Sequence, residues 1–395
     1  MVRGDSTSAR DPETDREVTR MATARRCRRI ALGVAYAAGA VVLAFTALAL
    51  LVGCSHHQAG PLAAITPGPP VPARPGAHVW VVGLPDVVVG SADGGATWKL
   101  AHRGELTNDY EAALWGVAFG DVADGWAIER SFGSRPEEIL ATADGGATWS
   151  WQHTGLPGTL LAIAATDARH AWAVGYRAHS ALVLATTDGG TTWRRQTIPG
   201  HVQIYDVAFG DSRHGWALGG NPDRTGGIVF STADGGAHWR LSYSTKTARL
   251  SRLASSGPRR CWVVGSKQKM GFIDSPGFVV STRDGSTHWQ TEQSVSLQPL
   301  DDVAFPDPRH GWAVGVNGTI IATSDGGATW VAQHTDQREP LVGVAFSDAS
   351  HGWILLGHRA LLATINGGAT WTVVKPTQTE YYLAAVTCLG PGKGK

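Results

Sequence analysis

A chain of 395 residues with 50 Gly, 16 Trp and only 17% charged residues has the composition of many short strands joined by tight turns. The formal net charge is +1, and 26 basic residues stand against 28 acidic ones after Cys54. That balance excludes a general nucleic-acid binder.

The first 24 residues are polar, lack a hydrophobic period and read as a disordered cytoplasmic segment, which runs to residue 29. Arg25, Arg26, Arg28 and Arg29 then precede Ile30–Gly53, an uncharged apolar run long enough to span a bilayer as a helix. Basic flanks stay on the cytoplasmic side, so the rest of the chain is expected outside the membrane. The run ends Leu51-Val52-Gly53-Cys54, which resembles a bacterial lipobox. In that reading Cys54 is acylated and becomes the new amino terminus of a lipoprotein. The length of the run fits an uncleaved signal anchor instead, with Cys54 a small apolar residue. Residues 54–77 are rich in Pro, Gly and Ala and read as an extended tether.

From residue 78 to residue 388 one unit recurs. Its most regular part is "SADGGATW" (91–98), "TADGGATW" (142–149), "TTDGGTTW" (186–193), "TADGGAHW" (232–239), "TRDGSTHW" (282–289), "TSDGGATW" (323–330) and "TINGGATW" (364–371). The closing Trp residues are spaced by 51, 44, 46, 50, 41 and 41, a period that signals a propeller or solenoid. A second Trp lies upstream in each copy, at Trp80, Trp126, Trp172, Trp216, Trp262, Trp312 and Trp353. Upstream again stands a short apolar segment such as "DVAF" (206–209).

Each copy therefore reads as four strands, here a ("DVAF"), b ("WAVG"), c (before the Asp) and d (after it). The first copy lacks strand a, and "YYLAAVTC" (381–388) supplies an unaccompanied one. These features predict an all-β, seven-bladed propeller of four-stranded antiparallel blades. The carboxyl-terminal strand closes the ring, and residues 389–395 form a tail. Closure removes exposed strand edges.

In the c–d turn, Asp93, Asp144, Asp188, Asp234, Asp284, Asp325 and Asn366 can accept backbone N–H bonds, and the next Gly can take positive φ. They read as structural, as do His170, His214, His310 and His351 in the a–b turns. No metal site or cofactor motif appears, and no catalytic spacing. Cys261 and Cys388 fall on non-adjacent blades and are expected unpaired. Trp151 shares a strand face with Trp149 and is expected to pack beside it.

The pattern Ser/Thr-x-Asp-Gly-Gly-x-Thr-Trp resembles the Asp-box, or bacterial neuraminidase repeat. Asp-box propellers include sialidases, sortilin-type receptors, xyloglucan hydrolases and the photosystem II assembly and stability factor. The seven copies and the "GWAVG…TxDGGxTW" unit are most similar to the last family. That resemblance implies a non-catalytic protein that binds and assists a membrane-protein partner. The chain departs from the family in its long basic-flanked anchor and carries no residue tied to a photosynthetic role.

Irregular loops on a rigid scaffold are the expected carriers of specificity. The b–c and d–a loops, on the face opposite the Asp-boxes, vary most in length. Trp115, at the start of strand a of blade two, is a candidate ligand platform near the channel mouth, where Tyr205 and Asp301 hold equivalent positions. Tyr110, Arg135, Tyr176, Arg177 and Arg224 join it as binding-face candidates. So do Arg249, Lys267, Lys269, Arg338 and Arg359, and together they suggest an acidic peptide or a glycan partner. The expected protein is a monomeric, membrane-anchored, extracytoplasmic binding or assembly factor. The alternative is a carbohydrate-active hydrolase with paired carboxylates on facing loops, drawn from Asp109, Glu111, Glu137, Glu138, Asp223 and Asp274.

Overall fold

The computed structural model describes residues 71–104, 112–131, 138–155, 157–178, 180–220, 226–267, 275–292, 296, 298–376 and 381–391. The basic segment, the apolar run and Cys54 lie outside the described residues. The rest forms seven four-stranded antiparallel sheets. Each orders its strands a-b-c-d, and the seven a strands touch one another in a closed cycle around a central channel. Strands b and c are almost wholly buried, whereas strand d is the exposed outer edge. Trp151 lies on that edge in blade two and is 40% exposed. No strand lies beyond strand d to cover it, so it does not pack as expected.

Blade one is assembled from both ends of the described chain. Its strand a is Tyr382–Leu389 and its strand b is His78–Leu84. The two pair antiparallel, with Val81 opposite Val386. Every other blade is continuous in sequence. The a–b and c–d turns share one face: in each blade the N–H of the first Asp-box Gly donates to a carbonyl in the a–b turn, or to Ala77 just before strand b in blade one (for example Gly145 to Ala123, 2.8 Å).

The sequence also encodes how blades adhere. Phe119, Phe209 and Phe346 end strand a of blades two, four and seven, and Phe305 directly follows that of blade six. Each ring lies flat on the strand-b Trp of the preceding blade, with centroids 3.5–3.6 Å apart for Trp80–Phe119, Trp172–Phe209, Trp262–Phe305 and Trp312–Phe346. Each meets its own blade's strand-d Trp edge-on at 5.9–6.1 Å. In these same four interfaces the strand-b indole N–H donates to a carbonyl of the next blade's Asp-box: Trp80 to Gly145, Trp172 to Gly235, Trp262 to Gly326 and Trp312 to Gly367, at 3.0–3.2 Å. The stack adds about 1 kcal/mol beyond burial and the hydrogen bond about 1 more.

The residue before the strand-b Trp follows the same logic. It is Gly125, Gly215, Gly311 or Gly352 wherever the blade carries the Phe, because a Cβ there would collide with that ring. Blades three, five and one have Ala165, Ser255 and Cys388 in place of Phe, and correspondingly Ala171, Cys261 and Val79 before the Trp. At their interfaces the indole N–H of Trp126, Trp216 and Trp353 is buried without an acceptor. Cys261 and Cys388 are not joined in a disulfide.

The last Gly of "WAVG" has a different cause. Strand a bulges in every blade, and in five of them a strand-a carbonyl just before the bulge lies against Gly83, Gly175, Gly219, Gly265 or Gly315, whereas Glu129 and Leu356 hold this position in blades two and seven. A Cβ on Gly175 would overlap the Thr159 carbonyl oxygen. Gly175→Ala is expected to cost about 3 kcal/mol, read as a lower urea midpoint at unchanged m. Gly155→Ala, where a Cβ meets nothing at φ 65°, should cost about 1 kcal/mol.

Candidate binding site at the channel mouth

On the Asp-box face the carboxylates are consumed by their own turns. Asp144 accepts the Thr148 hydroxyl at 2.6 Å, the Thr148 N–H at 2.9 Å and the Thr142 hydroxyl at 2.8 Å. The Thr148 hydroxyl foremost holds it at about 2, and the matching Thr192 and Thr329 hydroxyls do the same for Asp188 and Asp325. In blades four and five His238 and His288 replace that Thr, and their Nδ1 atoms lie 2.7 and 2.6 Å from Asp234 and Asp284. Asn366 keeps the turn by accepting the Thr370 N–H at 3.0 Å and donating to its hydroxyl at 2.9 Å. His170, His214, His310 and His351 point back at Asp167, Asp211, Asp307 and Asp348 of their own a–b turns, at 2.8–3.0 Å. A cavity of about 480 Å³ opens on this face among Phe119, Asp167, Phe209, Asp211, Phe305 and Leu389.

The opposite face carries the groups that remain available. The strand-a bulge falls at one register position in all seven blades: Ala384, Trp115, Leu161, Tyr205, Ser251, Asp301 and Val342. A bulge re-aims the side chain that it carries. Trp115, Tyr205 and Asp301 are thus equivalent positions. Around Trp115 lies an aromatic sector. The Arg130 guanidinium sits 5.5 Å from its ring centroid, and the Tyr382 ring lies 6.4 Å away. Tyr382 stacks on His358 at 4.2 Å, and the His358 ring is fixed by a 2.8 Å contact to the Leu383 carbonyl. Burial pushes the Tyr382 hydroxyl well above its ordinary range and the His358 imidazole below its own.

Across the channel, blades four to six supply an ionic sector. Asp206 accepts the Leu253 N–H of the next blade at 2.8 Å. Asp302 accepts the Val344 N–H of the next blade at 2.8 Å and the Val303 N–H at 2.9 Å. Desolvation raises Asp206, lifts Asp301 to about 6 and lifts Asp302 to about 7. The Arg252 charge opposes the rise at all three, and Arg249 adds to it at Asp301.

Of the residues singled out in the sequence, Trp115 and Arg249 stand on the channel wall. Tyr176 is half-buried at the end of a strand b, and Arg177, Lys267, Arg338 and Arg359 are exposed on the rim. Tyr110, Arg135, Arg224 and Lys269 lie outside the described residues, as do Asp109, Glu111, Glu137, Asp223 and Asp274. Glu138 is engaged by His153 at 2.8 Å. Arg130, Tyr382, His358 and Arg252 carry no mark in the repeat and emerge only from the fold. Among the described residues no group of three or more His, Cys, Asp or Glu side chains could hold a metal ion.

The sequence profile of a family described as photosynthesis system II assembly factor YCF48 matches residues 73–197 and 281–341. The chain is an Asp-box propeller similar to YCF48. Solved structures with the YCF48 fold include YCF48 bound to a D1 peptide, at a TM-score of 0.55 and 19% identity, covering 79% of this chain and 94% of that one. YCF48 from Cyanidioschyzon merolae follows at 0.53 and 21%, covering 79% and 98%. A GH74 xyloglucanase from Xanthomonas campestris shares the fold at 0.50 and 14%, covering 82% of this chain and 55% of that one. Among curated protein sequences none matches. The YCF48-like likeness is carried by the blade unit, and the bulge residues that face the channel are where individual blades differ.

Proposed function

We propose that this YCF48-like propeller is a non-catalytic binding factor that engages a protein partner through the loop face and the channel mouth. In this reading residues 30–53, with or without acylation of Cys54, hold it on the outer side of a membrane, where it assists assembly or stability of that partner. The observation that carries the reading is the equivalent bulge in every blade, which puts Trp115 beside Tyr382 and Arg130 in one sector and places Tyr205 and Asp301 at the matching positions of blades four and six. Large aromatic rings with arginines are the usual anchors of protein interfaces. The peptide-bound YCF48 structure shows that a propeller of this fold accepts a polypeptide.

A carbohydrate-active hydrolase is the second reading. Asp301 favours it, because a carboxyl raised to about 6 in a channel has the proton affinity of a general acid. Against it, among the described residues the neighbouring Asp206 and Asp302 are committed to backbone N–H groups.

The test is cross-linking of the full chain in native membranes, followed by purified binding with the captured protein. Trp115→Ala with Tyr382→Ala should weaken binding at least tenfold, while Thr148→Lys on the Asp-box face should leave it within twofold. Equal binding by all variants removes the mouth as the site. Hydrolysis of a β-glucan by wild type but not by Asp301→Asn would establish the second reading.

A further inference from the structure

Three blade interfaces lack both the Trp–Phe stack and the indole hydrogen bond, and two of them keep other cross-blade bonds, of kinds also made beside the stack by Gln196 to Gly235, Gln333 to Gly367 and Val344 to Asp302. Between blades two and three, Gln152 donates to the Gly189 carbonyl at 3.1 Å and accepts the Trp193 indole N–H at 3.1 Å. Between blades four and five, the Ser286 hydroxyl donates to Ser231 at 2.8 Å, and Asp206 takes the Leu253 N–H. The third interface, between blades seven and one, flanks the noncovalent closure of the ring, which lies inside blade one where strand a, continuous with blade seven, pairs with strand b. Cys388 stands there in the place of Phe, and Trp353 has no acceptor.

What occupies this interface is the approach segment, residues 71–77, assigned from composition to the tether. Val71 is buried in the cluster shared by blades seven and one, with Val79, Trp353 and Tyr381. The Arg74 N–H donates to the Asp93 carbonyl at 2.8 Å, and the Arg74 carbonyl accepts the Ala77 N–H at 3.1 Å. These bonds lock the segment to the c–d turn of blade one. The Arg74 guanidinium then crosses to blade seven, pairing with Asp348 and reaching the Ser347 hydroxyl at 3.5 Å. The Arg74 guanidinium and the His351 ring hold Asp348 well below the usual carboxylate range against the upward push of burial. Pro391, just past the closing strand, packs against Gly76.

We propose that residues 71–77 are a clasp on the ring, with Arg74 as the bolt between blade one and blade seven, so that releasing this segment loosens blade one before any other blade. The segment runs directly into strands b to d of blade one and joins them to the tail of strand a and the a–b turn of blade seven, which lie together in the distant carboxyl-terminal stretch of the described chain. It supplies there what the Phe stack supplies elsewhere. It also makes the disc sensitive to its own leader, because cleavage or pulling at or before residue 77 acts directly on the closure.

Hydrogen exchange on the full chain in detergent tests this. Arg74→Ala should speed exchange about tenfold in residues 79–84 and 382–389, with residues 203–209 of blade four changed less than twofold. Arg74→Lys should retain most of the protection. Ser347→Ala, which leaves the Asp348 turn intact, should give a smaller rise at the same two strands and keeps the test open if Arg74→Ala fails to fold. A uniform rise across all blades, or no rise at 79–84 and 382–389, overturns the clasp.

Discussion

Arg252→Met is expected to destabilise the propeller by about 3–5 kcal/mol at pH 8, which makes it among the most damaging single changes in the channel. Arg252 belongs to blade five and lies among Asp206 of blade four and Asp301 and Asp302 of blade six, all three of which feel its charge. Met keeps much of the stem's volume, so the loss reports the charge. Asp301 would then keep only Arg249, and Asp206 and Asp302 would lose the guanidinium that opposes their desolvation. The carboxylates cannot simply swing to solvent, because Asp206 and Asp302 bind backbone N–H groups of the next blades. At pH 5 they can protonate, so the same substitution should cost much less there. Urea unfolding of both proteins at pH 8 and pH 5 decides it. An equal loss at the two pH values would mean that Arg252 acts through packing rather than charge.

That cluster shows where reading the sequence succeeds and where it stops. The blade count, strand order and closing strand follow from a repeat whose residues have local or nearest-neighbour jobs. Asp144 and Thr148 are four residues apart and meet in one turn. Gly125 and Phe119 are six apart and meet across one hairpin. Even the blade-to-blade contact is visible in hindsight, since "GW" accompanies "VAF" and "AW", "CW" or "VW" accompanies its absence. The bulge is not visible, because it depends on one extra residue in strand a opposing none in strand b, and no residue type marks it. Trp115 was legible as an extra Trp outside the repeat. Arg130 and Tyr382 were not, because each looks like an ordinary strand residue until blades one and two are brought side by side. Arg252 was hidden for the same reason: Asp206 and Asp302 lie in different blades, and only the circular arrangement sets them around it. Composition places residues 71–77 in the tether and gives no sign that Val71 and Arg74 are fastened to the disc. Pro and Gly near residues 71–77 suit an extended chain, and an extended chain can still be fastened at one side chain.

The channel also sets how the whole disc should respond to pH. Folding raises Asp302 from its ordinary value to about 7 and Asp301 to about 6, through desolvation. Between pH 4 and 7 the folded protein therefore retains protons that the unfolded chain has released, and stability must fall as pH rises through that window and level off above it. For Asp302 alone the full difference is about 4 kcal/mol. The Asp-box carboxylates act oppositely. Asp144, Asp188, Asp234 and Asp325 stand at about 2 in the fold, so their contribution is present above pH 4 and is lost as pH falls toward 2. For these aspartates alone the two limbs place maximum stability near pH 4–5, while the half-buried His78, His102 and His358 imidazoles, held below their ordinary range, lose stability as pH falls and oppose the channel limb. Asp302→Asn removes the titrating group, and the fall in unfolding free energy from pH 5 to pH 8 should shrink by at least half, whatever the absolute offset of the variant. The slope is the diagnostic quantity, because Asn can accept only one of the two N–H bonds now made to Val303 and Val344 and will shift the whole curve. A wild-type stability that climbs steadily from pH 5 to pH 8 would show that the channel aspartates are ionised without penalty, and that Arg249 and Arg252 fully offset their withdrawal from water.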